Sequence, residues 1–176
     1  TYRPSFVSCT YGAVGSTREN TLELTAKISK TFGVTTAAHR TCVGSTMEEI
    51  LRWLEEAADL GIENIVALRG DPPKGQAEFK KPEGGFAYAN ELVAFIREQT
   101  GDHFHIEVAA YPEFHPQAKS AREDMLNFKR KIAAGANSAI TQYFYNADSY
   151  FYFVDECSKL GITAPIVPGI MPIVKF

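Results

Sequence analysis

Long apolar runs are missing from this sequence of 176 residues. None approaches the ~18 to 20 residues needed to cross a bilayer, and the amino-terminal segment lacks the charged, apolar and small-residue order of an export signal. A cytoplasmic setting is expected. An excess of positive charge is missing as well: 18 Lys and Arg stand against 21 Asp and Glu, for a formal charge of -3. That is the wrong sign for a chain that neutralises phosphate backbones or anionic lipid, so neither nucleic acid nor a membrane is an expected partner. Cysteine is scarce, with Cys9, Cys42 and Cys157 widely separated and free of C-x-x-C spacing. Buried free thiols, and no metal, are expected from that. Low-complexity tracts and blocks of one charge are also absent, so nothing marks a linker and residues 1–176 read as a single domain. What remains is 45% hydrophobic, 22% charged and 12% aromatic, enough apolar surface for a packed core and too much for a disordered chain.

One unit recurs along the chain: a short β-branched apolar run, a loop, an amphipathic helix and a glycine. The runs are Phe6 to Thr10, Thr35 to Thr41, Asn64 to Leu68, His105 to Ala110, Ser138 to Tyr143 and Pro165 to Ile170. Between them Met47, Ile50, Leu51, Leu54, Ala57 and Ala58 form one helical stripe. Ala121, Met125, Phe128 and Ile132 form a second, and Tyr150, Phe153, Val154 and Cys157 a third. Leu24/Ile28 and Leu92/Phe95/Ile96 mark two weaker helices. Ser45-x-x-Glu48 and Ser120-x-x-Glu123 have the spacing of capping boxes. Gly33, Gly61, Gly101, Gly135 and Gly161 sit where helices should stop. Six strands separated by five helices, with no hairpin signal, imply parallel pairing and right-handed crossovers. Both an open doubly wound sheet and a (β/α)8 barrel accommodate that pattern. Gly12-Ala13-Val14-Gly15 lacks the G-x-G-x-x-G spacing that usually opens the first, so the α/β TIM barrel is favoured. A complete barrel needs eight strands and about 250 residues, so this chain would cover only part of one.

Barrel sites form at the carboxyl ends of the strands. Those ends carry Thr10 and Tyr11, His39 and Thr41, Arg69 and Asp71, Tyr111, Glu113 and His115, then Gln142, Tyr143 and Tyr145. Strand alternation sets Ser8 with Thr10, Ala37 with His39, Ala67 with Arg69 and Ala109 with Tyr111. Small residues beneath polar ones leave room for a flat ligand. The longest loop, Asp71 to Gly85, is rich in proline and glycine and is of a length that usually serves function, with a plain surface excursion as the alternative. Arg69-Gly70-Asp71 spells an adhesion tripeptide, but it ends an apolar strand and is not read as one. His39, among alanines, suits either a satisfied core histidine or a site residue. Lys129, Arg130 and Lys131 suit a solvated helix face, or, with Asp124 and Asn127, an anchor for a phosphate-bearing cofactor.

Taken in order, several segments carry a resemblance. They are Ser8 to Gly12 with its T-Y-G-A turn, Ala37-Ala38-His39 followed by Thr41-Cys42, Ala67-Leu68-Arg69-Gly70-Asp71-Pro72-Pro73 and Ala109-Ala110-Tyr111-Pro112-Glu113 with His115-Pro116. Lys129-Arg130-Lys131 with Ala134-Gly135-Ala136, Ile140-Thr141-Gln142 and Pro168-Gly169-Ile170-Met171-Pro172 complete the set. Over nearly its whole length the chain resembles the bacterial-type methylenetetrahydrofolate reductase family. The resemblance implies an FAD-containing TIM barrel, a flavoprotein oxidoreductase of one-carbon metabolism. Such an enzyme reduces 5,10-methylenetetrahydrofolate to 5-methyltetrahydrofolate with NADH or NADPH by ping-pong hydride transfer and feeds methionine biosynthesis. A flavin needs a broad slot, polar groups along its pyrimidine edge and an anchor for its diphosphate, which agrees with the rim.

By matching motif, the resemblance implies FAD contacts from Thr10, Tyr11, Ala13, His39, Arg69, Gly70, Asp71, Tyr88, Ala89, Tyr111, His115, Asp124, Asn127, Arg130 and Lys131. It places Asp71 beside flavin and folate as the catalytic carboxylate, Gln142 on the pterin with Tyr145 nearby, and Arg130 and Lys131 on the diphosphate. Val14 in the turn after Tyr11, Arg40 between His39 and Thr41, and Ile173-Val174-Lys175-Phe176 depart from the family pattern. If His39 faces the barrel interior, Arg40 faces the helix layer, where a charge is costly. The family's first strand, with the glutamate assigned to protonate folate N5, and its eighth strand match nothing in these residues. The chain is therefore expected to cover the second to seventh strands, to be inactive as a reductase by itself, and to form a homo-oligomer when complete. Two other readings stay open: a flavin-free pterin-binding methyltransferase-like barrel, which would have no diphosphate to anchor, and a non-catalytic fragment.

Overall fold

The computed structural model describes residues 3–10, 21–71 and 81–173. Strands and helices alternate through them: β1 (Phe6–Cys9), α1 (Thr21–Phe32), β2 (Thr35–Thr41), α2 (Met47–Asp59), β3 (Asn64–Leu68), α3 (Ala89–Thr100), β4 (His105–Ala110), α4 (Ala121–Ala133), β5 (Ser138–Thr141), α5 (Ala147–Lys159) and β6 (Ile166–Val167). The β-branched runs are strands and the amphipathic stretches are helices, as their periods of two and 3.6 dictate. The strands hydrogen-bond in chain order, β1-β2-β3-β4-β5-β6. The pairs β1/β2, β2/β3, β4/β5 and β5/β6 are parallel. A doubly wound sheet would reverse its order partway. This sequential α/β order is that of a TIM barrel, and the described residues hold six strands and five helices of it. Among the described residues, no helix is long and apolar enough to cross a membrane.

The chain divides into two compact units, Thr1–Ile106 and Glu107–Phe176. In the first, Phe6 to Cys9 lie opposite Thr35 to Ala38, and Ala38 to Thr41 opposite Ile65 to Leu68. Its core is built from Ala38, Ile65 and Ala67 on the strands with Ile50, Leu54, Leu92 and Ile96 on the helices, all buried. Three sequence expectations shift here. The cap of α2 is Thr46, one residue later than Ser45: its hydroxyl accepts from Glu49 N–H at 3.2 Å while Glu49 accepts from Thr46 N–H at 2.8 Å. The buried stripe of α2 is Ile50, Trp53, Leu54 and Ala57, with Met47 exposed. Trp53 joins the core, and Arg40, buried on β2, lays its guanidinium over the indole at 5.4 Å from the ring centre. The face of Arg40 is thus the helix side, as alternation from His39 requires. On α1 the phase also differs, since Leu22 and Ala26 are buried and Leu24 is exposed.

In the second unit Glu107 to Ala110 lie opposite Ser138 to Thr141, and Ala139 and Ile140 opposite Ile166 and Val167. β6 is two residues long, shorter than Pro165 to Ile170. Pro165 and Pro168 have no N–H to give to a ladder, and the N–H of Gly169 goes instead to the Thr141 hydroxyl at 2.8 Å. Ser120 caps α4, accepting from Glu123 N–H at 3.2 Å. Phe128 of α4 and Phe153 of α5 are buried against each other, ring centres 5.6 Å apart. All five expected helix-stop glycines adopt positive φ, the region only glycine enters without strain.

The Arg40–Trp53 contact yields a measurable coupling. A double-mutant cycle with Arg40→Met and Trp53→Leu, read from denaturant midpoints, should return ~1 to 2 kcal/mol of interaction, the range for a desolvated cation over an indole. Additive losses would show that the two side chains are merely neighbours.

Candidate functional site

In the first unit the site is organised by what happens where strands β2 and β3 end. A strand's carbonyls lose their ladder partners there and must find others. The N–H of Cys42 donates to the carbonyls of Leu68 and Arg69, each at 3.1 Å, and Val43 N–H donates to Arg69 at 3.2 Å. The Cys42 thiol reaches Leu68 O at 3.4 Å and Tyr88 O at 3.7 Å. Cys42 thus ties together the turns that bear His39, Arg69, Gly70 and Tyr88. Burial pushes its thiol up to about 12, with the charge of Glu91 adding to the shift, so it is a packing group and no nucleophile. Glu91, in the first turn of α3, accepts from the N–H groups of Ala87 and Tyr88 at 2.7 and 3.3 Å. That fixes the main chain at Tyr88, whose side chain is exposed, at the start of the helix.

Gly70 has φ +85, and a Cβ there would lie 2.9 Å from Val43 Cγ1 and 3.0 Å from Thr41 Cβ. Glycine is therefore required beside Asp71, both for its conformation and for the close approach of the β2 turn. Asp71 itself is exposed, Arg69 is half-buried, and Thr10 is exposed just past β1. His39 is half-buried, and burial lowers its pKa from the ordinary 6.5, which keeps the ring neutral at pH 7. Two residues on, Thr41 Oγ1 is buried with no hydrogen-bond partner among the described residues. Tyr11, Ala13, Val14, residues 72–80 of the long loop and residues 174–176 lie outside the described residues. The end of that loop is anchored, since Gly84 O accepts from Met47 N–H at 2.8 Å.

In the second unit four expected residues converge. Lys131, on α4, is drawn inward: its ammonium donates to Ala109 O and lies 5.9 Å from the ring centre of Tyr111 and 5.8 Å from that of Phe128. Burial pulls its pKa down to about 8, opposed in part by the charge of Asp124. His115 stands edge-on to Tyr111 at 4.7 Å, and its main-chain N–H donates to Asp124 Oδ2 at 2.9 Å. Asn127 and Arg130 pair with each other. Lys129 is separate, capping the end of α5 through Leu160 O at 2.8 Å. So the three consecutive basic residues of α4 have three tasks. Past β5, Gln142 and Tyr145 are exposed. Gln142 Oε1 accepts from Tyr143 N–H at 3.0 Å, and the Tyr143 and Tyr145 rings meet at 5.7 Å.

Sequence reasoning missed two features. Cys42 was visible only as a buried thiol, since nothing in one residue's identity shows which carbonyls it bridges. Phe114 adopts φ +58, an uncommon conformation for a residue with a side chain that costs ~1 to 2 kcal/mol. Its neighbours, Pro112 and Pro116 in a tight loop, were the available signal. The three cysteines are free and buried, as expected, and among the described residues no group of His, Cys, Asp and Glu could hold a metal ion.

A sequence model of the family described as Methylenetetrahydrofolate reductase matches residues 1–176. The chain belongs to the methylenetetrahydrofolate reductase family. It is 45% identical over 174 residues to the 5,10-methylenetetrahydrofolate reductase of Escherichia coli K12, covering 99% of this chain and 56% of that protein. To methylenetetrahydrofolate reductase (NADH) 1 of Arabidopsis thaliana it is 44% identical over 184 residues, covering 99% of this chain and 31% of that protein. It thus spans little more than half the bacterial relative and under a third of the plant one. Among solved structures it is similar to phosphonopyruvate hydrolase in complex with oxalate and Mg++, with TM-score 0.63, 15% identity, and 84% of this chain and 50% of that one covered. A putative lyase/mutase from Burkholderia cenocepacia J2315 gives TM-score 0.63 at 13% identity over 98% of this chain and 63% of that one. At such identities the likeness shows the fold alone.

The lowered pKa of His39 carries a prediction. An unfolded histidine takes up its proton near the ordinary value, before the folded one does, so the stability owed to neutral His39 is present above that pH and lost as pH falls below it. Denaturant midpoints should therefore decline less steeply for His39→Asn than for the parent between about pH 8 and about pH 5. Parallel declines would show that His39 does not titrate in this way.

Proposed function

We propose that this chain is the central part of a flavin-dependent reductase that converts 5,10-methylenetetrahydrofolate to 5-methyltetrahydrofolate with NAD(P)H. The observation that supports this most is the family match along all 176 residues, which also supports taking them as one domain. The residues present suit FAD. Tyr111, His115, Asn127, Arg130 and Lys131 combine an aromatic ring, donors and two cations within one unit, the donor set a diphosphate requires. Thr10, His39, Arg69, Gly70, Tyr88 and Ala89, with Tyr11 and Ala13, would hold the remainder, and the hydroxyl of Thr41, without a hydrogen-bond partner among the described residues, suits, beside neutral His39, the polar edge of a planar ring. When bound, FAD supplies a two-electron carrier between nicotinamide and folate, which permits ping-pong order.

The catalytic work falls to Asp71. Its carboxylate, exposed beside the constrained Gly70, would stabilise the cationic iminium form of the folate that accepts the hydride. Gln142, its Oε1 engaged by Tyr143 N–H, offers its NH2 to the pterin, and Tyr145 lies along the same turn. A cytoplasmic location and a supply of methyl groups to methionine complete the proposal, the first supported by three cysteines kept as free thiols. The direct test is colour: the freshly purified full-length protein should absorb as a flavoprotein. A colourless protein that still binds folate would favour a flavin-free pterin barrel.

Two substitutions in the full-length enzyme follow. Asp71→Asn should slow the folate half-reaction by the equivalent of ~2 to 4 kcal/mol and reduction by NAD(P)H by less, because only the folate side develops the cation; stopped-flow traces slowed equally in both would remove this role. Gln142→Ala should raise the folate Kd and leave flavin content unchanged, so loss of flavin on purification would mean that Gln142 serves the cofactor.

A further inference from the structure

We propose that Tyr150 is a positioning residue for the substrate: it acts through Gln142, by tying the turn that bears this side chain to β6, and does not itself touch the folate. The turn between β5 and α5 is largely open to solvent. Gln142, Tyr143, Tyr145 and Asn146 are exposed, and among residues 142–146 Phe144 alone is partly buried. Its ring is stacked on that of Tyr150 at the end of the first turn of α5, with centres 5.3 Å apart and planes 7° from parallel, a favourable arrangement for two aromatic rings. The Tyr150 hydroxyl then donates to Ile166 O at 2.9 Å. One side chain therefore grips the middle of the turn with its face and β6 with its tip.

The ends of the turn are fixed in other ways. Gln142 N–H donates to Ala110 O at 2.8 Å, and Asn146 caps α5, its Oδ1 accepting from Asp148 N–H at 3.0 Å. Between those points Phe144 is the residue that packs inward. The Gln142 amide depends on this stretch, because its Oε1 accepts from Tyr143 N–H at 3.0 Å and Tyr143 precedes Phe144 directly. A Phe144 ring that drifts carries that N–H with it and turns the amide. An amide that must present its NH2 to a pterin in one direction binds less tightly when that direction is averaged, since ordering it then opposes association. β6 is firm ground for the tether although it is two residues long. On either side of Ile166, Pro165 O accepts from Ala139 N–H at 2.9 Å and Gly169 N–H donates to Thr141 Oγ1 at 2.8 Å.

The proposal rests on the reading of Gln142 as the pterin residue, and the test separates the two. In the full-length protein, hydrogen exchange at Tyr143 N–H reports whether the Gln142 amide is held, with no ligand needed. Exchange there should be faster in Tyr150→Phe, which keeps the stacked ring and loses the hydroxyl, while Ala139 N–H inside the sheet stays as protected as in the parent. The Kd for 5-methyltetrahydrofolate should rise about fivefold in Tyr150→Phe, the size of one lost neutral hydrogen bond, with flavin content unchanged. Phe144→Leu, which breaks the other link of the same tether, should give a similar rise, and combining the two should add little. In a Gln142→Ala background, Tyr150→Phe should weaken binding no further. Unchanged exchange at Tyr143 in Tyr150→Phe, or a full additional loss in the Gln142→Ala background, would overturn the proposal, the latter by showing that Tyr150 reaches the folate by another route. If Gln142→Ala by itself leaves the Kd unchanged, the pterin reading falls and with it the effect on substrate, whereas faster exchange at Tyr143 would still establish the tether.

Discussion

Parallel strands that stop leave carbonyl oxygens with no ladder partner, and most of the site described above exists to satisfy them. Leu68 and Arg69 are met by the N–H and thiol of Cys42, Ala109 by the ammonium of Lys131, and Ala110 by the N–H of Gln142 at 2.8 Å. Each solution draws a functional segment to a strand end. Because an unsatisfied buried carbonyl costs roughly 1 to 3 kcal/mol, the placement of these segments is a folding requirement before it is a catalytic one.

The same economy explains why Lys129, Arg130 and Lys131 of α4 differ in environment although they are consecutive. A helix turns 100° per residue, so Lys129, Arg130 and Lys131 are sent to the end of α5, to Asn127 and to Ala109 respectively. At Lys131 burial lowers the pKa to about 8. It stays cationic at neutral pH because Asp124 opposes the shift and two rings face it.

Strand and helix order was legible in the sequence because it is written in periodicity, and Gly33 or Gly161 mark helix ends through a steric rule that needs no neighbours. The resemblance carried the candidate site, since the spacing of Arg69-Gly70-Asp71 or Tyr111 to His115 reveals nothing by itself of what lies across from it. Phase was harder to read. Met47 was expected in the buried stripe and is exposed, while Trp53 is buried against Arg40 of another element, a contact that the periodicity of α2 does not contain. The cap moved from Ser45 to Thr46 for a similar reason: Ser45 is buried, and a Cβ on Gly85 would lie 2.4 Å from its carbonyl oxygen, so the turn is filled by the returning loop. The brevity of β6 could have been foreseen from Pro165 and Pro168.

All three thiols are buried, and for Cys42 and Cys157 burial raises the pKa to about 12 and about 11. Thiolate, the form that reacts, is thus nearly absent from those two positions in the folded chain and appears only when the surrounding turn or helix opens. Alkylating agents and peroxide then act as clocks of local opening, with Cys42 timing the junction of β2, β3 and the start of α3, and Cys157 timing α5. Oxidation of those two thiols would accordingly follow local opening and not precede it.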